Sequence, residues 1–276
     1  MLAEVAGGIV SGSLALLADA GHMLTDFAAL VLAWGAFRLA RRPATWRRTY
    51  GFDRFSVLAA FVNGLSLFAI AGWILVEAIQ RLRDPGVVLG GVMLVVALLG
   101  LLVNVLAFWV LTRGDGENLN IRAATLHVAG DLLGSVAALL AAVVILWTGW
   151  TPIDPILSVV VAVVILRSAL RVVRESGHIL LEGVPAGFDP REVARDLAGS
   201  VAGLRRVHHI HAWLITEERP MVTLQAEVEL GTDLQAARDA IKARLKAAFG
   251  ISHATVEVEA HSPSGSSPGG ESAGQG

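Results

Sequence analysis

The chain has 276 residues and a net charge of −2, and 54% of its residues are hydrophobic while only 17% are charged. Soluble globular proteins carry about 25% charged residues, so this composition excludes an ordinary soluble enzyme and a disordered chain, and the near-neutral charge predicts no nucleic-acid partner. There is no cysteine, which excludes disulfides, thiolate zinc sites and a cysteine nucleophile, and leaves His, Asp and Glu as the side chains for any metal.

The charged residues are unevenly distributed along the chain. Residues 1–175 contain 24 charged side chains, 13 of them arginine and none lysine, whereas the remaining 101 residues contain 22. This difference predicts a membrane-embedded N-terminal part and a soluble C-terminal part.

Six apolar segments in the N-terminal part approach the length of about 20 residues that crosses a bilayer as a helix. They are Leu2–Ala18, His22–Leu39, Phe55–Ile79, Val87–Leu111, Ala123–Trp147 and Ile156–Val173. We interpret the short first segment as a truncated span, because a signal peptide would need basic residues ahead of its apolar stretch. The sequence therefore predicts six transmembrane helices.

Arginine residues predict the orientation of these helices. They concentrate in the second and fourth connections and at the end of the sixth span, whereas the other connections contain only Arg81 and Arg83. Basic connections face the cytoplasm in membrane proteins. Both termini are therefore expected in the cytoplasm, and the compact Ala- and Arg-rich sequence suggests a bacterial inner membrane.

The C-terminal part has the pattern of a small α+β domain. We predict a helix, two strands, a second helix and a third strand, at Arg191–Leu197, His208–Thr216, Met221–Leu230, Asp233–Phe249 and Ala254–Ala260. In the second strand, alternation places Val222, Leu224, Ala226, Val228 and Leu230 on one face. This order fits one sheet covered by two helices, with Asp189 capping the first helix.

The predicted domain boundaries follow from these patterns. Residues 1–176 form the transmembrane domain, residues 177–261 form the soluble domain, and residues 262–276 are a Ser-, Gly- and Pro-rich tail that should be disordered.

Two of the apolar segments contain the same pair of ionisable residues. His22 and Asp26 lie in the second segment, and His127 and Asp131 lie in the fifth, each with the spacing H-x-x-x-D. Residues four apart lie on one face of a helix, and ionisable groups inside spans are functional candidates because they are costly there. Two such pairs on facing helices would supply four N and O ligands, a set that suits tetrahedral Zn²⁺.

A purely structural alternative exists for each pair. A His–Asp hydrogen bond could tie two spans together without any metal, but the recurrence of the spacing in two spans favours metal binding. Ligation would require neutral His and ionised Asp, so protons would compete with the metal. Among the other polar residues, we expect Asn104 to form an interhelical hydrogen bond, Asp19 to cap the second span, and Glu4 and Asp154 to contact solvent near span ends.

Several segments resemble the cation diffusion facilitator family of zinc transporters. They are Ser11–Asp26, Arg47–Asn63, Leu119–Ser135, Asp154–Ser158 and His178–Pro185, and the resemblance extends from Leu2 to Glu259. The paired H-x-x-x-D motifs are similar to those of zinc-type members, whereas manganese-type members have D-x-x-x-D pairs. The usual cytoplasmic stretch before the first span is missing, so the start at Met1 is interpreted as internal.

The resemblance implies a homodimer that exports Zn²⁺ from the cytoplasm in exchange for protons. It also implies a cytoplasmic domain of ferredoxin-like topology that binds a structural or regulatory Zn²⁺ and helps dimerisation. The ligands that it implies for this second site are His208, Glu227, Glu257 and Glu259. Glu227 stands where relatives commonly have His.

We therefore expect a secondary transporter and not an enzyme. It should carry Zn²⁺, with Cd²⁺ or Co²⁺ as alternative substrates, through a midplane site by alternating access. The transport-site ligands are His22, Asp26, His127 and Asp131. Two alternatives remain open: a membrane metal sensor, and a membrane-embedded zinc metalloenzyme, which would need an open coordination position and a nearby Glu base.

Overall fold

A computed structural model describes residues 1–40, 43–112 and 119–260 of the chain. It divides into two compact units, Met1–Gly177 and His178–Gly276. The predictions for the fourth connection at residues 113–118 and for the tail at residues 262–276 lie outside the described residues.

The first unit is helical. Its helices are α1 (Leu2–Ser11), α2 (Leu14–Ala40), α3 (Arg54–Arg83), α4 (Gly90–Thr112), α5 (Leu119–Thr148) and α6 (Ile153–Leu180). Within the described part, four stretches are long and apolar enough to cross a membrane, namely Arg54–Arg83, Gly90–Val110, Asp131–Thr148 and Ile153–Leu180. The membrane-helical character is thus confirmed, and four of the six predicted spans meet this criterion.

The first predicted span is wrong in its extent, because the helix breaks inside it. Helix α1 has only 10 residues and ends at Gly12, which adopts a φ of 70°. A left-handed backbone of this kind favours glycine, which has no Cβ to clash. The next residue, Ser13, accepts a hydrogen bond from the backbone N–H of Leu16 at 3.3 Å, which makes it the N-cap of a new helix. The segment Leu2–Ala18 is therefore divided between α1 and α2.

Asp154 of α6 completes this helix start, contrary to our expectation that it contacts solvent. Its carboxylate accepts hydrogen bonds from the Ser13 hydroxyl (2.6 Å) and from the backbone N–H groups of Leu14 (2.7 Å) and Ala15 (3.1 Å). The side chain is completely buried. A carboxylate at a helix N-terminus satisfies otherwise orphaned N–H groups and interacts favourably with the helix dipole. Asp154 therefore joins α6 to the beginning of α2.

Helix α2 packs against helices on two sides. On one side, Leu14 and Ala18 contact Ile74 and Ala78 of α3 and Ala162 of α6. On the other side, α2 contributes to a second cluster with α4 and α5, made of Ala15, Leu16, Met93, Ala97, Ala138, Ala141, Ala142 and Ile145. Small residues dominate these contacts, as expected where membrane helices approach closely. This packing buries the N-terminal turns of α2, where Leu14, Leu16 and Ala18 are at most 1% exposed.

The C-terminal unit contains α7 (Pro190–Ser200), β1 (Leu204–Thr216), β2 (Arg219–Val228), α8 (Leu234–Phe249) and β3 (His253–Ala260). The predicted α-β-β-α-β order is thus confirmed. In the described part the sheet has the order β1-β2-β3, with β1 and β2 antiparallel and β2 and β3 parallel. The described elements form a small α+β domain; a complete ferredoxin-like order, β-α-β-β-α-β, would begin with one further strand ahead of α7.

One face of this sheet forms the core of the unit. Val222, Leu224, Ala226 and Val228 of β2 are buried, together with residues of α7 and α8, which confirms the predicted face and its cover of two helices. Leu230 was wrongly placed on this face: it follows the end of β2 and is 66% exposed. Asp189 accepts a hydrogen bond from the N–H of Arg191 at 2.8 Å, so the predicted cap of the first helix is confirmed.

Candidate functional site

The N-terminal helices bring three of the four predicted transport-site residues together. His22 and Asp26 lie one turn apart on α2, with His22 Nε2 and Asp26 Oδ2 separated by 3.5 Å. Asp131 comes from α5, and its Oδ1 lies 3.8 Å from the same His22 nitrogen. Each of the three residues offers one ligand atom, and these atoms all lie within 4.8 Å of one another.

This spacing fits a tetrahedrally coordinated ion. With zinc–ligand bonds of about 2.0–2.2 Å, two corners of the tetrahedron are about 3.4 Å apart. The separations of 3.5 and 3.8 Å from His22 Nε2 are close to this value. One imidazole nitrogen and two carboxylate oxygens are ligands that Zn²⁺ accepts, so the residues present fit zinc as a transported substrate.

The remaining predicted ligand, His127, lies on α5 one turn before Asp131. Its side chain is outside the part of the chain that the structure describes. The helical backbone places both residues on the same face of α5, since residues four apart in a helix are neighbours.

The site is partly enclosed by protein. Asp131 is 8% exposed, and the side chains of His22 and Asp26 are 23% and 20% exposed. Two carboxylates this close to one another favour a divalent cation, because it offsets their mutual repulsion. The imidazole and the carboxylates also bind protons, so metal and protons compete for the same atoms.

Asp19 lies one turn before His22, and the prediction that it caps the second span is wrong. Helix α2 begins at Leu14, so Asp19 lies in its second turn, where it is 3% exposed. Its Oδ2 is 3.5 Å from the Ser135 hydroxyl of α5. Ser135 in turn accepts a hydrogen bond of 3.0 Å from the Asn104 side chain of α4, which confirms the interhelical bond predicted for Asn104. Glu4, expected near solvent, is also 3% exposed.

The residues of the predicted second metal site lie on the polar face of the C-terminal sheet. His208 Nε2 is 3.1 Å from Glu227 Oε1. Glu227 also forms an ion pair of 3.4 Å with Arg206. Glu259 lies opposite Glu227 in the β2–β3 register, and Glu257 lies opposite Gln225. The four residues thus occupy neighbouring positions on three strands.

A β-bulge modifies this face. The β1–β2 register shifts between His208 and His211, and His209 adopts a φ of 49°. A bulge adds one residue to a strand and redirects its side chains. His209 Nδ1 consequently lies 2.5 Å from Gln225 Oε1 and 3.1 Å from His208 Nδ1, and Gln225 donates a 2.8 Å hydrogen bond to Glu257.

His208, Glu227, Glu257 and Glu259 do not form a compact ligand set in this structure. Among the residues that the structure describes, His22, Asp26 and Asp131 are the group in which three ligand atoms approach within 4.8 Å. On the sheet face, Glu227 and Glu257 are instead engaged by Arg206, His208 and Gln225.

The sequence reasoning missed the functions of two buried acids, Asp154 and Asp19. The signal for the first was present: Gly12 and Ser13 form a typical helix stop and N-cap, which would have indicated a helix start in need of a further acceptor. For Asp19 the sequence contained no such signal, because Ser135, its neighbour in space, is 116 positions away in the sequence.

Comparisons with known proteins are consistent with this architecture. The family model for the cation efflux transmembrane domain matches residues 1–181. The family model for the cytoplasmic domain of cation efflux proteins matches residues 189–261. Together the two matches include both units of the chain.

Curated relatives extend the comparison to individual proteins. The chain is 51% identical over 260 residues to the zinc transporter ZitB of Escherichia coli, which covers 94% of this chain and 83% of that protein. It is 39% identical to the cadmium, cobalt and zinc/H(+)-K(+) antiporter of Bacillus subtilis, over 94% and 84% of the two chains. It is 37% identical to the metal cation efflux system protein CzcD of Cupriavidus metallidurans, over 94% and 82%.

These relatives are transporters and not enzymes, and the helices described above are those of a multi-pass membrane protein. The chain therefore belongs to the cation diffusion facilitator family and is a metal cation efflux transporter.

Proposed function

We propose that this protein exports Zn²⁺ from the cytoplasm in exchange for protons. The observation that carries the proposal is the cluster of His22, Asp26 and Asp131 between α2 and α5. The proposal assigns His127 as the fourth ligand of the same ion. Relatives named as a zinc transporter and as a cadmium, cobalt and zinc/H(+)-K(+) antiporter support zinc as the substrate, Cd²⁺ and Co²⁺ as further substrates, and protons as the counter-ion.

Proton exchange follows from the chemistry of the ligands. Zn²⁺ binds the neutral imidazole and the ionised carboxylates, so protonation of these groups releases the metal. A site that opens alternately to the two sides of the membrane would load zinc on one side and protons on the other. The exchange then needs no group beyond the four ligands.

The proposal also includes the assembly and its place in the cell. The protein is a homodimer in the bacterial inner membrane, with both termini and the C-terminal unit in the cytoplasm. The match to the cytoplasmic domain of cation efflux proteins supports dimerisation through this unit. In this proposal the C-terminal unit is a ferredoxin-like domain with a second, regulatory metal site, formed by His208, Glu227, Glu257 and Glu259. Because Arg206 pairs with Glu227 and Gln225 donates a hydrogen bond to Glu257, zinc must displace both contacts to bind these carboxylates.

The experiment that tests the transport site is zinc efflux by proteoliposomes under a proton gradient. Asp131→Asn should lose zinc transport while the protein remains folded, because an amide cannot supply the negative charge that a divalent ion requires in an apolar span. Asp84→Asn, which changes an exposed aspartate after α3, is the matched control and should transport normally. Full transport by Asp131→Asn would favour the purely structural His–Asp bond, since an amide oxygen can still accept it.

Two further measurements in the same system separate the alternatives. His127→Asp should retain some transport but shift the preference towards Mn²⁺, because oxygen ligands favour harder ions. Zinc that still binds to the Asp131→Asn variant at equilibrium should occupy the second site. Adding His208→Ala to this variant should then abolish the remaining zinc binding. Zinc binding without any zinc flux in the unmodified protein would instead indicate a membrane metal sensor.

A further inference from the structure

The Ser135 hydroxyl of α5 connects three helices close to the transport site. It accepts a hydrogen bond from Asn104 of α4 at 3.0 Å and lies 3.5 Å from Asp19 Oδ2 of α2. All three side chains are buried, with exposures of 1% for Ser135, 3% for Asp19 and 6% for Asn104. Buried polar groups inside a membrane domain need such partners because water is absent.

The direction of these contacts follows from their donors and acceptors. The Asn104 Nδ2 can only donate, so the Ser135 oxygen accepts that bond. The single hydroxyl hydrogen of Ser135 then remains for Asp19, whose carboxylate can only accept when it is ionised. With Asp19 ionised, the donors therefore run from Asn104 of α4 through Ser135 of α5 to Asp19 of α2.

Asp19 also packs directly on the backbone of α5. A Cβ added to Gly134 would lie 2.6 Å from Asp19 Oδ1. This distance is shorter than a normal non-bonded contact, so an alanine at position 134 would displace the Asp19 carboxylate from its present position. The contact at Gly134 and the contact at Ser135 hold the Asp19 side chain from two sides.

The position of this network relative to the metal ligands gives it a function. Asp19 lies three residues before His22 on α2, and Gly134 and Ser135 lie three and four residues after Asp131 on α5. Residues three or four apart occupy the same helix face. The network therefore joins the same faces of α2 and α5 that carry the ligands, about one helical turn away from them.

We propose that Asp19, Ser135 and Asn104 form a positioning network that fixes the separation of α2 and α5 and thereby sets the zinc affinity of the transport site. This inference rests on the proposed function of His22, Asp26 and Asp131. None of the three network residues binds the ion; they act by holding the ligand-bearing helices at the distance at which the ligands converge. Residues that hydrogen-bond directly to metal ligands change metal affinity about 10- to 100-fold when they are removed, and a network one helical turn away should act at the lower end of that range.

The test is zinc binding and zinc transport by the full-length protein with Ser135→Ala. We expect the Kd and the KM for zinc to increase about tenfold, while the maximal rate stays close to that of the parent, because the four ligands are intact. Gly134→Ala should have the same effect by displacing Asp19. Gly91→Ala on α4 is the matched control, since an added Cβ there meets nothing within 4 Å, and it should leave Kd and KM unchanged.

A double-mutant cycle tests the connection between the residues. If Asn104 acts only through Ser135, Asn104→Leu should weaken zinc binding in the parent but not further in Ser135→Ala. Additive effects would contradict the network. Asp19→Asn, which keeps an acceptor oxygen and the volume, should bind zinc more tightly than Asp19→Ala.

The outcomes distinguish this inference from the proposed function. Normal Kd and KM in Ser135→Ala, together with loss of transport in Asp131→Asn, would overturn the network and leave the transport site intact. Normal zinc binding and transport in both variants would refute the transport-site assignment itself. If Ser135→Ala does not fold, Asn104→Leu and Gly134→Ala provide the same comparison of KM with maximal rate.

Discussion

Arg244 and Asp196 connect the two helices of the C-terminal unit by two parallel hydrogen bonds. The guanidinium Nε and Nη2 donate to the two carboxylate oxygens at 2.8 and 2.6 Å. Bidentate pairs of this kind are stronger than single ion pairs. The hydrogen bonds from Arg244, together with its positive charge, hold the pKa of Asp196 below its ordinary value of 3.8.

This pair predicts a pH dependence of local stability. Because the folded-state pKa of Asp196 is lowered, the pair stabilises the unit above the ordinary value of 3.8, and this contribution is lost as the pH falls through the folded-state pKa. Asp196→Asn should therefore reduce amide protection in α7 and α8 near neutral pH. It should have little effect at pH values below the folded-state pKa of Asp196, where the carboxyl group is protonated in both states. Hydrogen exchange of the full-length protein measures this difference, and Asp239→Asn on the exposed side of α8 is the control. A difference that persists at low pH would contradict the assignment.

Helix α2 depends on a residue from another helix for its beginning. Gly12 ends α1, Ser13 caps α2, and the carboxylate of Asp154 accepts two backbone N–H groups in the first turn. Arg81 of α3 also donates to the carbonyl of Gly12. The break between α1 and α2 is therefore held by contacts from α3 and α6, and it positions the helix that carries His22 and Asp26.

Asp154→Asn should lower the stability of the helical unit by about 1.5–3 kcal/mol, the range for hydrogen bonds to a charged group. The amide retains one acceptor oxygen, but its NH₂ group faces N–H donors that it cannot satisfy. Thermal unfolding in detergent, followed by the loss of helical circular dichroism, measures the change. Asp84→Asn, on an exposed aspartate, should unfold like the parent. Equal midpoints for the two variants would show that Asp154 does not stabilise α2.

The whole molecule combines an apolar helical unit with a C-terminal α+β unit that carries more charge per residue. Many large apolar side chains of the helical unit are exposed, including Leu99, Val103 and Leu133. An outer surface of this kind is stable in lipid, which is where the family match places the protein. The arginine-rich connection before α3 then predicts which side of the membrane the loop faces.

The absence of cysteine allows a direct test of this orientation. A single Thr45→Cys variant should resist an impermeant thiol reagent added to intact cells and react after the membrane is opened, because the basic connection should face the cytoplasm. Gly86→Cys in the connection between α3 and α4 should show the opposite pattern and serves as the matched control. Reaction of Thr45→Cys in intact cells would reverse the predicted topology.

The sequence by itself indicated a membrane-helical part followed by a small α+β domain, the order of most helices and strands, and the candidate ligands. Hydrophobic segments of span length and the H-x-x-x-D spacing are local patterns, so they can be recognised in the sequence without knowledge of the tertiary structure. The same holds for the helix cap at Asp189 and the buried face of β2, because both depend on residues a few positions apart.

Only the tertiary structure decided the roles of Asp19, Asp154 and His209. Asp19 contacts Ser135 and Asp154 contacts Ser13 over more than 100 sequence positions, so no local pattern indicates either pair. The bulge at His209 is defined by the pairing of β1 with β2, which the pattern of β1 alone does not contain. Each of these features depends on which helix or strand lies alongside, and packing between distant segments is the property that periodicity and spacing do not contain.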